Sequence, residues 1–219
     1  MVQCLLLLVY QSLPVQAGQP PIQRVFRKHE TDRYAVDIDS ESQSGKAHYE
    51  FELKMFAERP VALSSDTKVS ATFLNLHSSF DGMKAPDRKI FGSASYQFPA
   101  AGFPFDYSLA GNENIFVLPL LSWYLPLTSP VAGIDFDVPE MIFDNTIHVS
   151  GVGSVRKING DSTMVKLNLA FKFSGSIQAS TAPAFTSTAT FNANTGLLLK
   201  SEGDMKSLAG TMTFHVKKI

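Results

Sequence analysis

The stretch KAHYEFELKM at residues 46–55 decides the fold class of this sequence. Its apolar residues alternate strictly with charged residues or histidine, and they are Ala47, Tyr49, Phe51, Leu53 and Met55. Successive side chains of a β-strand point to opposite faces. The alternation therefore predicts a strand with one buried face and one solvated face.

A second alternating run precedes the first one. Tyr34, Val36 and Ile38 are separated by the acidic residues Asp37 and Asp39. The polar stretch 40–45, which lies between the two runs, has the composition of a turn. The two runs are therefore predicted to form a hairpin.

The C-terminal part of the chain repeats this pattern. Alternating runs lie at 147–155, 165–173, 185–191, 197–199 and 208–216, with turn-forming residues at 159–160 and 192–196. One-sided alternation on successive hairpins is typical of an antiparallel sheet with one solvated face. We therefore predict an all-β protein, a strongly curved antiparallel sheet or open β-barrel of about ten strands, with one or two short helices.

The region between these blocks lacks clear alternation. Residues 81–111 are rich in Gly, Pro and aromatic residues, and residues 112–127 are predicted to form a short helix that Pro119 breaks or kinks. This helix is either a buried crossover packed against the sheet or a mobile lid over an apolar cavity. The similar order of runs near 33–80 and 145–217 predicts an internal duplication.

The N-terminus resembles an export signal. An apolar run is followed by Val15 and Ala17, small or short residues at the positions that signal peptidase accepts. We expect residues 1–17 to be a signal peptide and residues 18–219 to be one all-β domain. The protein would then be exported to the periplasm, outer envelope or extracellular space. The alternative for the N-terminal apolar run is a buried first strand. Cys4 lies in this leader, so a mature chain would lack disulfides. No later segment is long and apolar enough for a membrane helix.

Composition narrows the function classes. With 44% hydrophobic and 18% charged residues, the chain is unlike disordered proteins, and a net charge of −1 makes nucleic acid an unsuitable partner. The chain has 17 Phe but 6 Tyr and 1 Trp. Because Phe carries no polar group, this excess indicates a dry interior, either an ordinary core or the lining of a cavity for an acyl chain.

Sequence motifs predict no catalytic residue, metal or cofactor. The five histidines are scattered, and no two stand at metal-ligand spacing on one element. The chain also lacks the Gly-x-Ser-x-Gly motif of many hydrolases. The glycines in 151–154 are predicted to mark a bulge or a close backbone approach, since they lie within a strand pattern.

Paired acidic residues are the remaining candidates for catalysis. Asp135 and Asp137 would share one face of a strand, as would Asp37, Asp39 and Glu41. Acid–base catalysis needs two carboxyl groups with separated pKa values across a cleft, and Ca²⁺ needs six to eight oxygen ligands. A solvated face that protects a sheet edge from aggregation explains such pairs equally well.

Three stretches carry a resemblance to a group of proteins. They are Asp32-Arg33-Tyr34, the segment from Leu118-Pro119 to Asp135, and 194–198. In these stretches the chain resembles uncharacterised exported bacterial all-β proteins, although the acid at Asp135 is displaced by one residue. More remotely, it is similar to the half-barrels of periplasmic lipoprotein carriers. The resemblance implies no catalytic residues.

Three functional hypotheses follow from these patterns. The first is a non-enzymatic exported protein that binds an apolar ligand, a lipid or lipoprotein, in the concavity of the sheet. Its candidate pocket lining is Phe116, Leu120, Trp123 and Tyr124. The second is a structural or interaction module of the cell envelope with a filled core, and the third is a carboxylate-dependent hydrolase.

Overall fold

A computed structural model describes residues 22–60, 66–99, 102, 105–110, 122–126, 134–143, 147–173, 184–207 and 210–219 of the chain. These residues form twelve strands and no α-helix. The strands are β1 (Thr31–Ser42), β2 (Gly45–Pro60), β3 (Thr67–Phe80), β4 (Met83–Lys84), β5 (Arg88–Phe98), β6 (Phe105–Ala110), β7 (Ile134–Phe143), β8 (Ile147–Lys157), β9 (Ser162–Phe173), β10 (Ala184–Asn192), β11 (Leu198–Ser207) and β12 (Gly210–Lys218).

All twelve strands belong to one antiparallel sheet. Eleven of them lie in the order β6-β5-β3-β2-β1-β12-β11-β10-β9-β8-β7, and the short β4 pairs with β3. The sheet thus consists of two meanders joined by the pairing of β1 with β12. In the described part of the chain, β6 and β7 are the two edges and do not pair with each other. The predicted all-β antiparallel fold is confirmed.

The predicted N-terminal hairpin is also present, with a tighter turn. Strand β1 continues to Ser42 and β2 begins at Gly45, so residues 43–44 alone connect them, not the whole stretch 40–45. In its register Val36 lies opposite Phe51 and Ile38 opposite Tyr49. The two apolar sets therefore share one face of the sheet, as the alternation predicts.

The described part of the region rich in Gly, Pro and aromatic residues is mostly strand. Residues 81–111 include β4, β5 and β6. In β5 the buried residues Ala94, Tyr96 and Phe98 alternate with polar ones. Before Ala94 the alternation stops, because the register between β3 and β5 shifts beside Phe73. The high Gly, Pro and aromatic content concealed a short regular pattern.

Several predictions lie wholly or partly outside the described residues. The signal peptide at 1–17 is one, and residues 112–121 and 127 of the predicted helix are another. Within 122–126 the chain makes a single 3₁₀ turn and then a bridge from Leu125 to Gly102. The internal duplication stays a prediction. No helix of the described chain has the length and apolar character to cross a bilayer.

The core lies on one face of the sheet, and glycines make room for its largest rings. The ring of Phe214 crosses Gly203 to stack on Phe185 with centroids 5.6 Å apart. A Cβ at Gly203 would lie 2.7 Å from the Phe214 ring. At Gly151 a Cβ would lie 2.0 Å from the carbonyl oxygen of Asn168, which is the close backbone approach predicted there.

Residues 22–30 cross one end of the core, which we call the closed end. The backbone N–H of Val25 donates to the carbonyl of Thr195 at 3.0 Å, and Phe26 contacts Phe98 edge to face at 5.4 Å. Since Thr195 lies between β10 and β11 while Phe98 ends β5, this segment connects the two meanders.

Candidate functional site

A buried ion cluster fastens residues 22–30 to the sheet. The guanidinium of Arg24 donates to Asp32 at 2.8 Å and lies 3.4 Å from Glu30, and the amine of Lys218 donates to the other Asp32 oxygen. Arg24 and Asp32 are 8% and 5% exposed. Charged groups so deeply buried need partners, and here each has one. Because β12 contributes Lys218, the cluster also ties the C-terminus to the closed end.

Residues 122–126 also pack against the core at the closed end. The indole ring of Trp123 meets the ring of Tyr34 edge to face at 5.2 Å. Tyr124 stacks on Phe136 at 5.7 Å. Of the candidate pocket residues, Trp123 and Tyr124 thus pack against rings of the core. Phe116 and Leu120 lie outside the described residues.

The residues that the structure describes cover the opposite end of the core, which we call the open end, incompletely. The strand registers place one row of residues across six strands there, namely Met205, Met212, Ser40, Ala47, Phe80 and Met83. Exposure along the apolar face rises towards this row, from 6% at Phe51 to 48% at Phe80 and 72% at Met83. The apolar face of the core therefore continues into solvent.

Aromatic rings link the open end to the core. Tyr49 meets Phe80 edge to face at 5.9 Å, and burial raises the pKa of the Tyr49 hydroxyl. One row deeper, Phe51 contacts Phe73 at 5.9 Å and Phe91 at 5.4 Å. These phenyl rings have no hydrogen-bonding atom, so the surface beside the opening favours an aliphatic or aromatic ligand.

The polar face carries a cluster of potential metal ligands on β1 and β2. One ligand atom from each of Asp37, Asp39 and His48 lies within 4.8 Å of the others. His48 Nδ1 is 2.9 Å from an Asp39 oxygen, and His48 Nε2 is 3.4 Å from a Glu50 oxygen. Asp39 pairs with His48 across the strands, while Asp37 pairs with Glu50 and, on the other side, His215.

Electrostatics in this cluster shift two pKa values upward. The hydrogen bond that the His48 imidazole donates to the Asp39 carboxylate raises the pKa of His48, burial opposes this rise, and the hydrogen bond to Glu50 adds to it. Burial raises the pKa of Asp37, the His48 charge opposes this rise, and the Asp39 and Glu50 carboxylates reinforce it. Neighbouring carboxylates thus contribute to both shifts, although burial is the largest cause for Asp37.

Replacing Asp37 by asparagine is expected to stabilise the protein slightly at neutral pH. A raised pKa in the fold means that ionisation of Asp37 destabilises the native state, so this penalty is absent below its ordinary pKa of 3.8 and appears as the pH rises. The melting temperature should rise by about 1–2 °C at pH 7 and stay unchanged near pH 3, as measured by calorimetry. A melting temperature of Asp37→Asn below that of the parent protein at pH 7 would contradict a raised pKa of Asp37.

The carboxylate pair considered for hydrolysis lies at the edge of the sheet. Asp135 and Asp137 share one face of β7, and both are exposed. They line an open groove of about 430 Å³ together with Ser154, Lys166 and Asn168. This groove lacks the enclosed setting in which acid–base catalysis separates two carboxyl groups.

Two features of the site escaped the sequence analysis. The cluster of Asp37, Asp39 and His48 takes its residues from two strands, so spacing along one strand could not reveal it. The hairpin register, which places Asp39 opposite His48, was the available signal. The Arg24 cluster had no local signal, since Lys218 is 186 residues from Asp32. No protein-family model matches the chain, and no curated protein is detectably similar to it.

Proposed function

We propose that this is an exported, non-enzymatic protein that binds an acyl chain, of a lipid or a lipoprotein, on the apolar face of its sheet. The observation that carries the proposal is the exposure of Phe80 and Met83, which continue the core face into solvent at the open end. Isolated exposed apolar residues are ordinary, but a row that extends the core is typical of a binding surface.

The chemistry of the open end suits an acyl chain. Met205 and Met212 face each other across β11 and β12, and Phe80 faces Met83 across β3 and β4. Methionine side chains are flexible and polarisable, so they adapt to ligands of variable shape. Since residues 22–30 and 122–126 pack at the closed end, we place ligand access at the open end, and not beside residues 112–127.

A structural or interaction module of the envelope is the second candidate. The dense packing of the closed end supports it, because Tyr34 and Trp123 are 1% and 5% exposed and leave no room for a ligand there. The two functions differ at the open end: a module needs no acyl chain on Phe80, whereas a carrier does. The carboxylate-dependent hydrolase remains third, with Asp135 and Asp137 as its candidate residues.

The proposal predicts that Phe80→Glu weakens binding of an acyl probe. Fluorescence titration of the full chain with a dansyl-labelled undecanoic acid should give saturable binding. Because a carboxylate would replace an apolar contact, the Kd should rise by about tenfold or more. Ile90→Glu is the matched control, because Ile90 is 69% exposed but lies away from the apolar row. Ile90 pairs with Leu74, and Leu74 lies opposite Glu52 in the strand register.

Two results would contradict lipid binding. One is an equal effect of Phe80→Glu and Ile90→Glu, which would show non-specific association. The other is the absence of both probe binding and a co-purifying lipid mass, when protein from its own cells is examined by native mass spectrometry. The second result would favour the structural module.

A further inference from the structure

The polar face offers a second site, on the side of the sheet opposite the proposed acyl-chain surface. Asp37, Asp39 and His48 bring two carboxylates and one imidazole together within 4.8 Å. Asp37 has no hydrogen-bond or ion-pair partner among the described residues, and His48 is the sole ion-pair partner of Asp39 there. These ligand atoms are thus not committed to lysine or arginine.

We propose that Asp37, Asp39 and His48 bind a divalent first-row transition metal ion, with Zn²⁺ the best fit. Imidazole nitrogen and carboxylate oxygen are both ordinary Zn²⁺ ligands, and three protein ligands leave a coordination position open. Ca²⁺ and Mg²⁺ prefer sets made of oxygen alone, so the imidazole argues against them.

The scaffold under these residues is regular. β1 pairs with β2 on one side and with β12 on the other, and both pairings run through Asp37 and Asp39 without a shift of register. On the reverse face Val36 and Ile38 are 3% and 0% exposed. Ligands on such paired strands are held more accurately than ligands on loops, which lowers the cost of arranging them around an ion.

Local charge also favours a cation. The nearest acid beside the three ligands is Glu50, whose ion-pair partner in the described part of the chain is again His48. Three carboxylates therefore share one imidazole, and a bound Zn²⁺ would neutralise the excess negative charge. On β12, His215 pairs with Asp37 and lies 4.0 Å from Glu202. On β3, His77 pairs with Glu50.

Protons compete with the metal at this site. His48 must lose its proton to bind Zn²⁺, and Asp37 and Asp39 must be ionised. The groups that face them are Glu50, His77, Thr213, His215 and Glu202. Protonation of the His48 imidazole removes the lone pair that would bind the ion. Zn²⁺ binding should therefore weaken as the pH falls from about 7 to about 5.

Metal titration of the full chain tests the site. After chelator treatment, Zn²⁺ binding is measured by competition with a chromophoric chelator, and folding of each variant is checked by circular dichroism. We expect one Zn²⁺ per chain, and a loss of affinity of at least about tenfold in Asp37→Asn and in His48→Gln. Excess Ca²⁺ should not compete.

His148→Gln is the matched control. His148 also pairs with a carboxylate on a neighbouring strand, since its Nδ1 lies 3.1 Å from Glu140, but no third ligand atom of the described residues completes that pair. Zn²⁺ affinity should be unchanged in this variant. Equal losses in His148→Gln and His48→Gln, or Zn²⁺ binding that survives both Asp37→Asn and His48→Gln, would overturn the proposal. Because acyl binding uses the opposite face, the two proposals can fail separately.

Discussion

Replacing Asp32 by alanine is expected to lower the free energy of unfolding by about 3–5 kcal/mol. Asp32 accepts hydrogen bonds from Arg24 and Lys218, and its loss would leave Glu30, at 3.4 Å, as the one carboxylate of the described residues beside the buried guanidinium. An uncompensated charge in a buried position costs far more than a surface pair contributes. Urea denaturation followed by circular dichroism measures the change.

Asp137→Ala is the control for this variant. Asp137 is exposed on β7, so its replacement should change the free energy of unfolding by less than about 0.5 kcal/mol. If Asp32→Ala proved as mild as Asp137→Ala, the buried ion cluster would not hold residues 22–30 in place. The m-value should remain similar in all three proteins if each unfolds in one step.

Removing the indole at Trp123 should cost a similar amount, about 3–5 kcal/mol. Trp123 is 5% exposed and packs edge to face on Tyr34. Trp123→Ala would leave a cavity against the ring of Tyr34, in a place so buried that the pKa of the Tyr34 hydroxyl is strongly raised. Thermal unfolding monitored by far-ultraviolet circular dichroism measures the loss.

Val152→Ala provides the comparison, because Val152 is 52% exposed on β8. It should leave the melting temperature within about 2 °C of the parent value. A Trp123→Ala protein that melts like the parent would mean that residues 122–126 contribute little to the core. Since Trp123 is the single tryptophan of the chain, fluorescence of the parent protein reports on this contact directly.

Alternation predicted the faces of the strands well where pairing is regular. Tyr49, Phe51 and Leu53 were assigned to the apolar face from spacing alone, because the side-chain period of a strand is two. The same rule failed in β5, where the irregular register beside Phe73 shifts the period before Ala94. Periodicity thus identifies regular pairing and loses the strands that contain a bulge.

The sites were harder to predict than the strands. The proposed Zn²⁺ site depends on which residue of β1 faces which residue of β2. This register follows from a turn that is shorter than its composition predicts. The Arg24 cluster depends on contacts between residues 8 and 186 positions apart in the sequence. Such contacts arise from the topology of the whole sheet, which no local pattern encodes.

The pairing of β1 with β12 has a consequence for when the protein can fold. These first and last strands meet in the middle of the sheet, with Tyr34 opposite Lys218. A growing chain can assemble the meander that contains β1 early, but the pairing of β1 with β12 has to wait for residues 210–218. Folding of this kind relies on contacts far apart in sequence and is slow.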